Sequence, residues 1–528
     1  MDYALAVLSG ALLALSFPKF GHPAIGWIAL APLLVALASA RTMLRAFALG
    51  LVAGGIYFTG TLYWITRVMM VYGGLQVWVA VLVNAALIAY LALFPAVFAM
   101  VMRRLLAASG RTAMLAAPFV WTATELGRTH LFTGFPWVLL GYSQVTVLPI
   151  AQLASLVGVF GVSALVAATS ASLAFAATDV ASGFSRTFTV ARWTPYLPFA
   201  TVAAIIVVVA GWGSIRVKRS ELTRQGDVVR IGLVQGNVEQ SEREDAARQP
   251  AIFQSYLRMT RQAIGEGAEL VLWPESSTPF YFEEDRPGAD QVRRLARQAH
   301  VPILLGSDQI DWGTKNGQRV PTKYYNSAFL VRADGTTAGF YRKMHLVPFG
   351  EYVPLKQLFF FAAPLVQAVS DFSPGESAAL LEVKVGRSPT TADAEATHLM
   401  STAICYEIVY PDLVRQFVVA GSELLSTITN DAWFGKTSAP YQHFAQASMR
   451  AIEEGRYLVR SANTGISGMV DPYGRVLIET RLYESAVVVG EVRFLTAATV
   501  YSRLGDVFAY ASVVLTLALL IVARRRVQ

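Results

Sequence analysis

Three short stretches of this chain end in residue types that together could carry out acyl transfer. "LMSTAICYEIVYPDL" (399–413) holds Cys405, the only cysteine in 528 residues, at the end of an apolar run and two positions before Glu407. "LVLWPESSTPF" (270–280) puts Glu275 at the end of a second apolar run, and "GFYRKMHLVPFGEYVP" (339–354) supplies Lys343 and Glu351. A cysteine thiol with a pKa of about 8.5 is mostly protonated at neutral pH, so it needs a carboxylate base or a nearby cation to become a nucleophile. Glu275 could take that proton. A lysine could hold the negative oxygen that forms when a thiolate attacks an acyl carbonyl. Alone, a cysteine in an apolar run is a core side chain by default; the accompanying acid and lysine turn the reading toward catalysis.

Other chemistries find no support. A single cysteine excludes an internal disulfide. The six histidines are scattered, with no HExxH and no Cys/His cluster, so neither a metal nor a cofactor is expected. There is no GxSxG elbow and no phosphate-binding P-loop. Asn430 and Asp431 read as turn-shaping residues, and Arg450, Glu453, Glu454 and Arg456 as ordinary helix pairs.

The residues that could react sit in a part of the chain built to position them. Short β-type runs at 228–236, 269–275, 302–309, 399–405, 423–429 and 485–494 alternate with helical patterns at 251–265, 289–299 and 440–456, and "DPYG" (471–474) marks a hairpin. This alternation predicts an α/β layered domain. Strand ends and the loops after them are where such sheets assemble sites.

The rest of the chain is a different material. It is 54% hydrophobic and only 15% charged overall, far from the composition of a soluble domain. Apolar runs at 3–17, 24–40, 46–64, 75–101, 113–126, 148–178, 195–213 and 507–522 predict a polytopic helical membrane bundle of about eight spans. No Lys or Arg precedes the first run, so it reads as a retained span rather than a signal peptide. Arginines collect in alternate loops, at 41 and 45, at 103, 104 and 111, at 186 and 192, and at 524–526. That bias explains the net charge of +8 as a topology signal and not a nucleic-acid footprint. It assigns both termini to the cytoplasm and the α/β insert to the opposite side. The expected division is 1–216 for the N-terminal spans, 217–502 for the catalytic domain, and 503–528 for a last span with an Arg-rich tail.

The motifs also carry a family resemblance. "WPE" at Glu275, "YRKMHLVPFGEYVP" at Lys343, "CYE" at Cys405, "NDAWFG" (430–435) and "RAIEEGRYLVRSANTGISGMVDPYG" (450–474) resemble the nitrilase superfamily, and with the flanking spans the whole chain is similar to the apolipoprotein N-acyltransferases. The resemblance implies an αββα sandwich on a membrane bundle in the bacterial inner membrane, with the sandwich periplasmic. It implies a ping-pong reaction in which Cys405 takes an acyl chain from a phospholipid, typically phosphatidylethanolamine, as a thioester. The chain then passes to the amine of a lipoprotein's diacylglyceryl-cysteine. By position, Glu275 is the general base, Lys343 the oxyanion stabiliser and Cys405 the nucleophile, with Glu351, Tyr406 and Glu407 in support. The tryptophan that family members carry shortly after "VQGN" is absent here, where the segment around Glu244 is charged. A membrane-tethered amidase or nitrilase is the enzymatic alternative, since the same three residues serve C–N hydrolysis. Finally, "VPLKQLFFFAAPLVQAV" (353–369) places Phe359, Phe360 and Phe361 in a row, as expected for an arm that captures lipid at the bilayer interface.

Overall fold

The computed structural model describes residues 1–183, 196–352, 372–385 and 396–527. The aromatic run Phe359, Phe360 and Phe361 lies outside the described residues.

Every expected apolar run is helical. Among the described residues, five helical stretches are long and apolar enough to cross a membrane: Met43–Leu62, Val77–His130, Ala154–Thr178, Leu197–Arg224 and Val507–Arg526. Val77–His130 accommodates two of the expected runs, as helices Val77–Ser109 and Ala117–His130 joined by the tight turn Gly110–Ala116. The first two runs give the shorter apolar helices Asp2–Ala14 and Pro23–Ser39. Small residues let these helices approach closely, as expected where packing rather than water drives association. A Cβ on Gly50 would meet the Pro95 carbonyl oxygen at 2.4 Å, and one on Gly10 would meet that of Ala53 at 2.4 Å.

The α/β part contains twelve described strands: β1 (Val228–Gln235), β2 (Leu270–Leu272), β3 (Ile303–Lys315), β4 (Gln318–Val331), β5 (Thr337–Arg342), β6 (Leu381–Val385), β7 (Ala396–Ile404), β8 (Leu424–Thr429), β9 (Leu458–Ala462), β10 (Gly468–Val470), β11 (Val476–Glu479) and β12 (Ala486–Arg493). They form two six-stranded sheets, in the orders β12-β1-β2-β3-β4-β5 and β11-β10-β9-β8-β7-β6. The central trios β1-β2-β3 and β7-β8-β9 are parallel. Such strands are covered on both faces, which is why "LVL" and "LLSTIT" read as apolar or small without alternation.

Helices Gln249–Gly265 and Arg286–Ala299 pack on the first sheet, and Pro411–Val419 and Ala439–Glu454 on the second, giving four layers α–β–β–α. Successive residues of β1 serve different layers, as the strand period demands. Ile231 and Leu233 join the cluster that fills the space between the sheets, whereas Val234 packs under the outer helices with Phe253 and Trp273.

Helix Ala439–Glu454 corrects one expectation. Arg450 and Glu453 do pair, at 3.0 Å, but Arg450, Glu453, Glu454 and Arg456 are buried and not on a solvated face. The helix is pressed between the second sheet and membrane helix Ala154–Gly183. Glu453 accepts a hydrogen bond from Val159 N (2.7 Å), just past the kink at Val157–Gly158, and Arg450 donates to the Tyr142 hydroxyl (2.8 Å). Charged side chains therefore tie the catalytic layers to the bundle.

Candidate active site

Cys405 directly follows β7 and opens the tight turn Cys405–Val409, with φ of +53°, a region that a non-glycine residue rarely occupies. That conformation is over-determined by Glu407, directly beneath it. One Glu407 oxygen accepts from Ile404 N (2.7 Å), and the other from Tyr341 Oη (2.6 Å), Met344 N (2.6 Å) and His345 N (3.0 Å). The carboxylate thus binds the residue before the cysteine to the residues just after Lys343. Burial pushes the Glu407 carboxyl up to about 7, against these four donors, which favour its ionised form.

Glu275 follows β2 and Lys343 follows β5. Lys343 Nζ lies 2.8 Å from Glu351 Oε1 and 3.5 Å from Glu275 Oε1, and is 1% exposed. Asn326, on β4, donates from Nδ2 to Glu275 Oε1 (2.7 Å) and to Glu351 Oε1 (3.1 Å), while its carbonyl accepts from Lys343 N (2.9 Å). The second Glu275 oxygen accepts from Asn430 N (2.8 Å), and the second Glu351 oxygen from Val347 N (2.8 Å). Burial opposes the lysine's charge, but Glu351 and Glu275 outweigh it and hold Lys343 above its ordinary pKa. The Cys405 thiol feels the same groups. Burial first, then the Glu275 carboxylate, push it above the usual thiol range, and Lys343 pulls the other way. Burial and the Glu275 charge thus both favour the neutral thiol at rest.

Beneath the cysteine lies a buried network in which Asp431, expected as a turn-shaping residue, is instead an ion-pair partner. Asp431 Oδ2 is 2.8 Å from Arg460 Nη2, and Asp431 Oδ1 is 3.1 Å from His443 Nδ1 and accepts from Thr429 Oγ1 (2.9 Å). His443 Nε2 stands 3.1 Å from the Cys405 carbonyl oxygen. Although burial favours the neutral acid, Arg460 and His443 hold Asp431 well below the usual carboxylate range.

The expected residues thus fall into two groups. Glu275, Lys343 and Glu351 share one hydrogen-bonded set next to Cys405, whereas Glu407 supports the turn from below. Tyr406 turns toward the bundle. Its ring stacks on Trp137 (centroids 6.3 Å apart, 20° between planes) and meets Tyr410 edge-on at 5.3 Å. Trp137 comes from a loop of the membrane half and donates to Gln442 Oε1 (2.8 Å). Where family members carry the tryptophan, this chain forms the short helix Gln240–Glu244, and Arg243 lines a small cavity with Glu275, Asn430 and Asn463. Asn326, Trp137 and the Asp431–His443–Arg460 network were not singled out from sequence. Asn326 left a trace, as one of two polar residues, with Ser327, in the mostly apolar second half of β4.

A larger cavity of about 760 Å³ lies between the end of helix Ala117–His130 and the catalytic loops, lined by Phe132, His345, Tyr352, Phe372, Tyr410 and Leu413 among others. It begins at Met344, the residue after Lys343.

Four α–β–β–α layers with an acid, a lysine and a cysteine gathered at strand ends define a nitrilase-type catalytic domain, and residues 230–500 match the carbon-nitrogen hydrolase family. Residues 9–172 match the apolipoprotein N-acyltransferase N-terminal domain. Over 513 residues the chain is 41% identical to the apolipoprotein N-acyltransferase of Geobacter metallireducens, covering 97% of this chain and 93% of that one. It is 33% identical to the enzyme of the same name from Brucella melitensis biotype 1 (89% and 86% covered) and 32% identical to that of Rhodopseudomonas palustris (99% and 95% covered). The chain belongs to the apolipoprotein N-acyltransferase family: it is a membrane protein and an acyltransferase.

Proposed function

We propose that this enzyme moves an acyl chain from a phospholipid, phosphatidylethanolamine being the expected donor, to the amino group of a lipoprotein's diacylglyceryl-cysteine through a thioester on Cys405. Glu275 takes the thiol proton as sulfur attacks the ester carbonyl. Lys343 Nζ, fixed by Glu351, faces the oxygen that becomes negative. The tetrahedral intermediate collapses to the thioester, and the lysophospholipid alkoxide leaves with the proton held by Glu275. In the second half, the acceptor amine attacks the thioester, Glu275 removes a proton from nitrogen, and the sulfur is released as the thiol.

The observation that carries this reading is the placement of Lys343 between two carboxylates, one of which, Glu275, also acts electrostatically on the cysteine. Fixed charge of this kind costs no reorganisation when the oxyanion forms. The neighbouring cavity has the size of an ordinary ligand site, and its mixed lining, with Phe132, Leu346 and Leu413 beside His345, Asp412 and Gln416, suits an amphipathic lipid. The arginine-rich loops support a catalytic domain on the periplasmic side of an inner membrane crossed about eight times, with both termini cytoplasmic and domain limits at 216/217 and 502/503.

The test is the intact mass of purified protein after incubation with phosphatidylethanolamine labelled in one acyl chain, beside Cys405→Ala. The expected result is one acyl adduct on the native chain only, released by hydroxylamine and lost on adding a diacylglyceryl peptide. Labelled free fatty acid with no transfer to the peptide would instead identify a hydrolase.

A further inference from the structure

Helix Trp64–Val71 follows directly on membrane helix Met43–Leu62 and is clamped to the loop that ends β8. Tyr63 Oη accepts from Ser438 N (3.2 Å) at one end, and Tyr72 Oη donates to the Ala432 carbonyl (2.8 Å) at the other. Two ring contacts reinforce the seam, Trp64 on Phe434 (4.9 Å) and Tyr72 on Trp433 (4.8 Å). Between these clamps the Arg67 guanidinium lies against Gly435, where an added Cβ would meet Arg67 Nε at 2.5 Å. The next residue is Lys436, whose Nζ stands 5.3 Å from the Tyr483 ring centroid.

Arg67 and Lys436 are exposed, and among the described residues neither has an ion-pair partner within 4.0 Å. The carboxylates nearby are Asp431, already held by Arg460 and His443, and Glu239, which acts on Tyr72. Two cations from separate halves of the chain thus meet along one seam, and among the described residues neither is in an ion pair. A planar guanidinium and a mobile ammonium at the end of a membrane helix match a phosphodiester at the level where bilayer phosphates lie. A row of rings, Phe434 to Trp137 (5.9 Å) and Trp137 to Tyr406 (6.3 Å), leads from this seam to the cysteine turn. In a glycerophospholipid the phosphate is only a few bonds from the ester carbonyls.

We propose that Arg67 and Lys436 hold the head-group phosphate of the acyl donor, presenting its ester to Cys405 from the membrane side. This rests on the acyl-transfer reading. It deepens that reading by naming what recognises the donor.

The experiment uses the full chain in mixed micelles, following acyl-enzyme formation against the surface concentration of phosphatidylethanolamine for the native enzyme, Arg67→Ala, Lys436→Ala, the double variant and Arg67→Lys. Charge-assisted contacts to phosphate predict a rise of about tenfold or more in half-saturating donor for the double variant, with the maximal rate within about threefold. Arg67→Lys should recover part of the loss. Raising salt should weaken donor use by the native enzyme more than by the double variant. Transfer from enzyme already acylated on Cys405 to a diacylglyceryl peptide should keep its rate. Unchanged donor dependence in the double variant, or an equal loss in both half-reactions, would overturn the assignment. Inorganic phosphate competing as well as the lipid would make this a free-anion site. No acyl-enzyme from any phospholipid with the native chain would bring down the acyl-transfer reading itself, and this inference with it.

Discussion

Replacing Glu407 by glutamine should leave the protein folded and nearly abolish acylation of Cys405. The amide oxygen can keep the donors from Tyr341, Met344 and His345, but the amide nitrogen then faces Ile404 N, 2.7 Å away, donor against donor. Stranding that buried N–H costs about 1–3 kcal/mol, and turning three charge-assisted bonds into neutral ones costs about 1 kcal/mol each. Against this, burial of the charge, which pushes the carboxyl up to about 7 even in the face of these donors, is relieved in an uncharged amide and offsets the lost charge assistance. The two larger contributions cancel. What remains is a net cost of about 1–3 kcal/mol, concentrated on the peptide that precedes the cysteine. Retreat of the turn by about 1 Å separates sulfur from both Glu275 and Lys343, and misplacement on that scale costs on the order of a hundredfold in rate. Intact-mass kinetics of acyl-enzyme formation measure the rate, and a melting curve of the same detergent-purified sample measures the fold. Acylation within about threefold of the native rate, or a loss that merely follows global unfolding, would refute a positioning role for Glu407.

Asp431→Asn should strand the buried Arg460 guanidinium and cost about 3–5 kcal/mol at pH 7. Because Asp431 is held below its ordinary pKa, its contribution is present above pH of about 4 and fades as pH falls further, so the gap in melting temperature between variant and native protein should narrow in acid. A gap constant from pH 7 to 3 would contradict this. Glu454 has the opposite sign. Burial, and then Glu453, push its carboxyl up to about 8, so the stability it contributes is complete below its unfolded pKa and lost as pH rises through 8. The native melting temperature should therefore decline from pH 6 to 9, and Glu454→Gln should flatten that decline; identical slopes would dismiss Glu454 as its source. Trp137→Phe keeps the ring but removes the donor to Gln442, leaving a buried acceptor without that bond, at a cost of about 1–3 kcal/mol. A melting temperature equal to that of the native protein would show that this bond between bundle and catalytic layers contributes nothing.

The placement of Glu275 and Cys405 after apolar strands was legible because those strands are buried, whereas Lys343 follows β5, a mixed and mostly half-exposed strand, and stood out only by residue type. Five of the six parallel strands and the three longest helices of the α/β part were legible through burial as well, since it dictates their composition; β9, short and carrying Arg460, was not read as a strand. The polar outer halves of β3 and β4 were not, because beyond Gln309 they leave the core and lose any apolar period. Asn326 and the Asp431–His443–Arg460 network depend on partners 12 to 51 positions away, which no local pattern encodes. Arg450, Glu453 and Glu454 look like any solvated helix face in one dimension. Only the packing of Ala439–Glu454 against Ala154–Gly183 takes them out of water.

Trp137 also bears on how the enzyme is made. The loop that presents it leaves helix Ala117–His130, and that helix packs against Val507–Val527, the final helix of the chain. Every residue of the Cys405 turn is synthesised about a hundred positions before that support exists. Trp137 itself is made well before Cys405, and only the helix packed behind its own helix is made afterwards. The packing around the cysteine turn is therefore drawn from both flanks of the catalytic domain in the sequence, and the last of it is supplied by a helix that packs behind Ala117–His130.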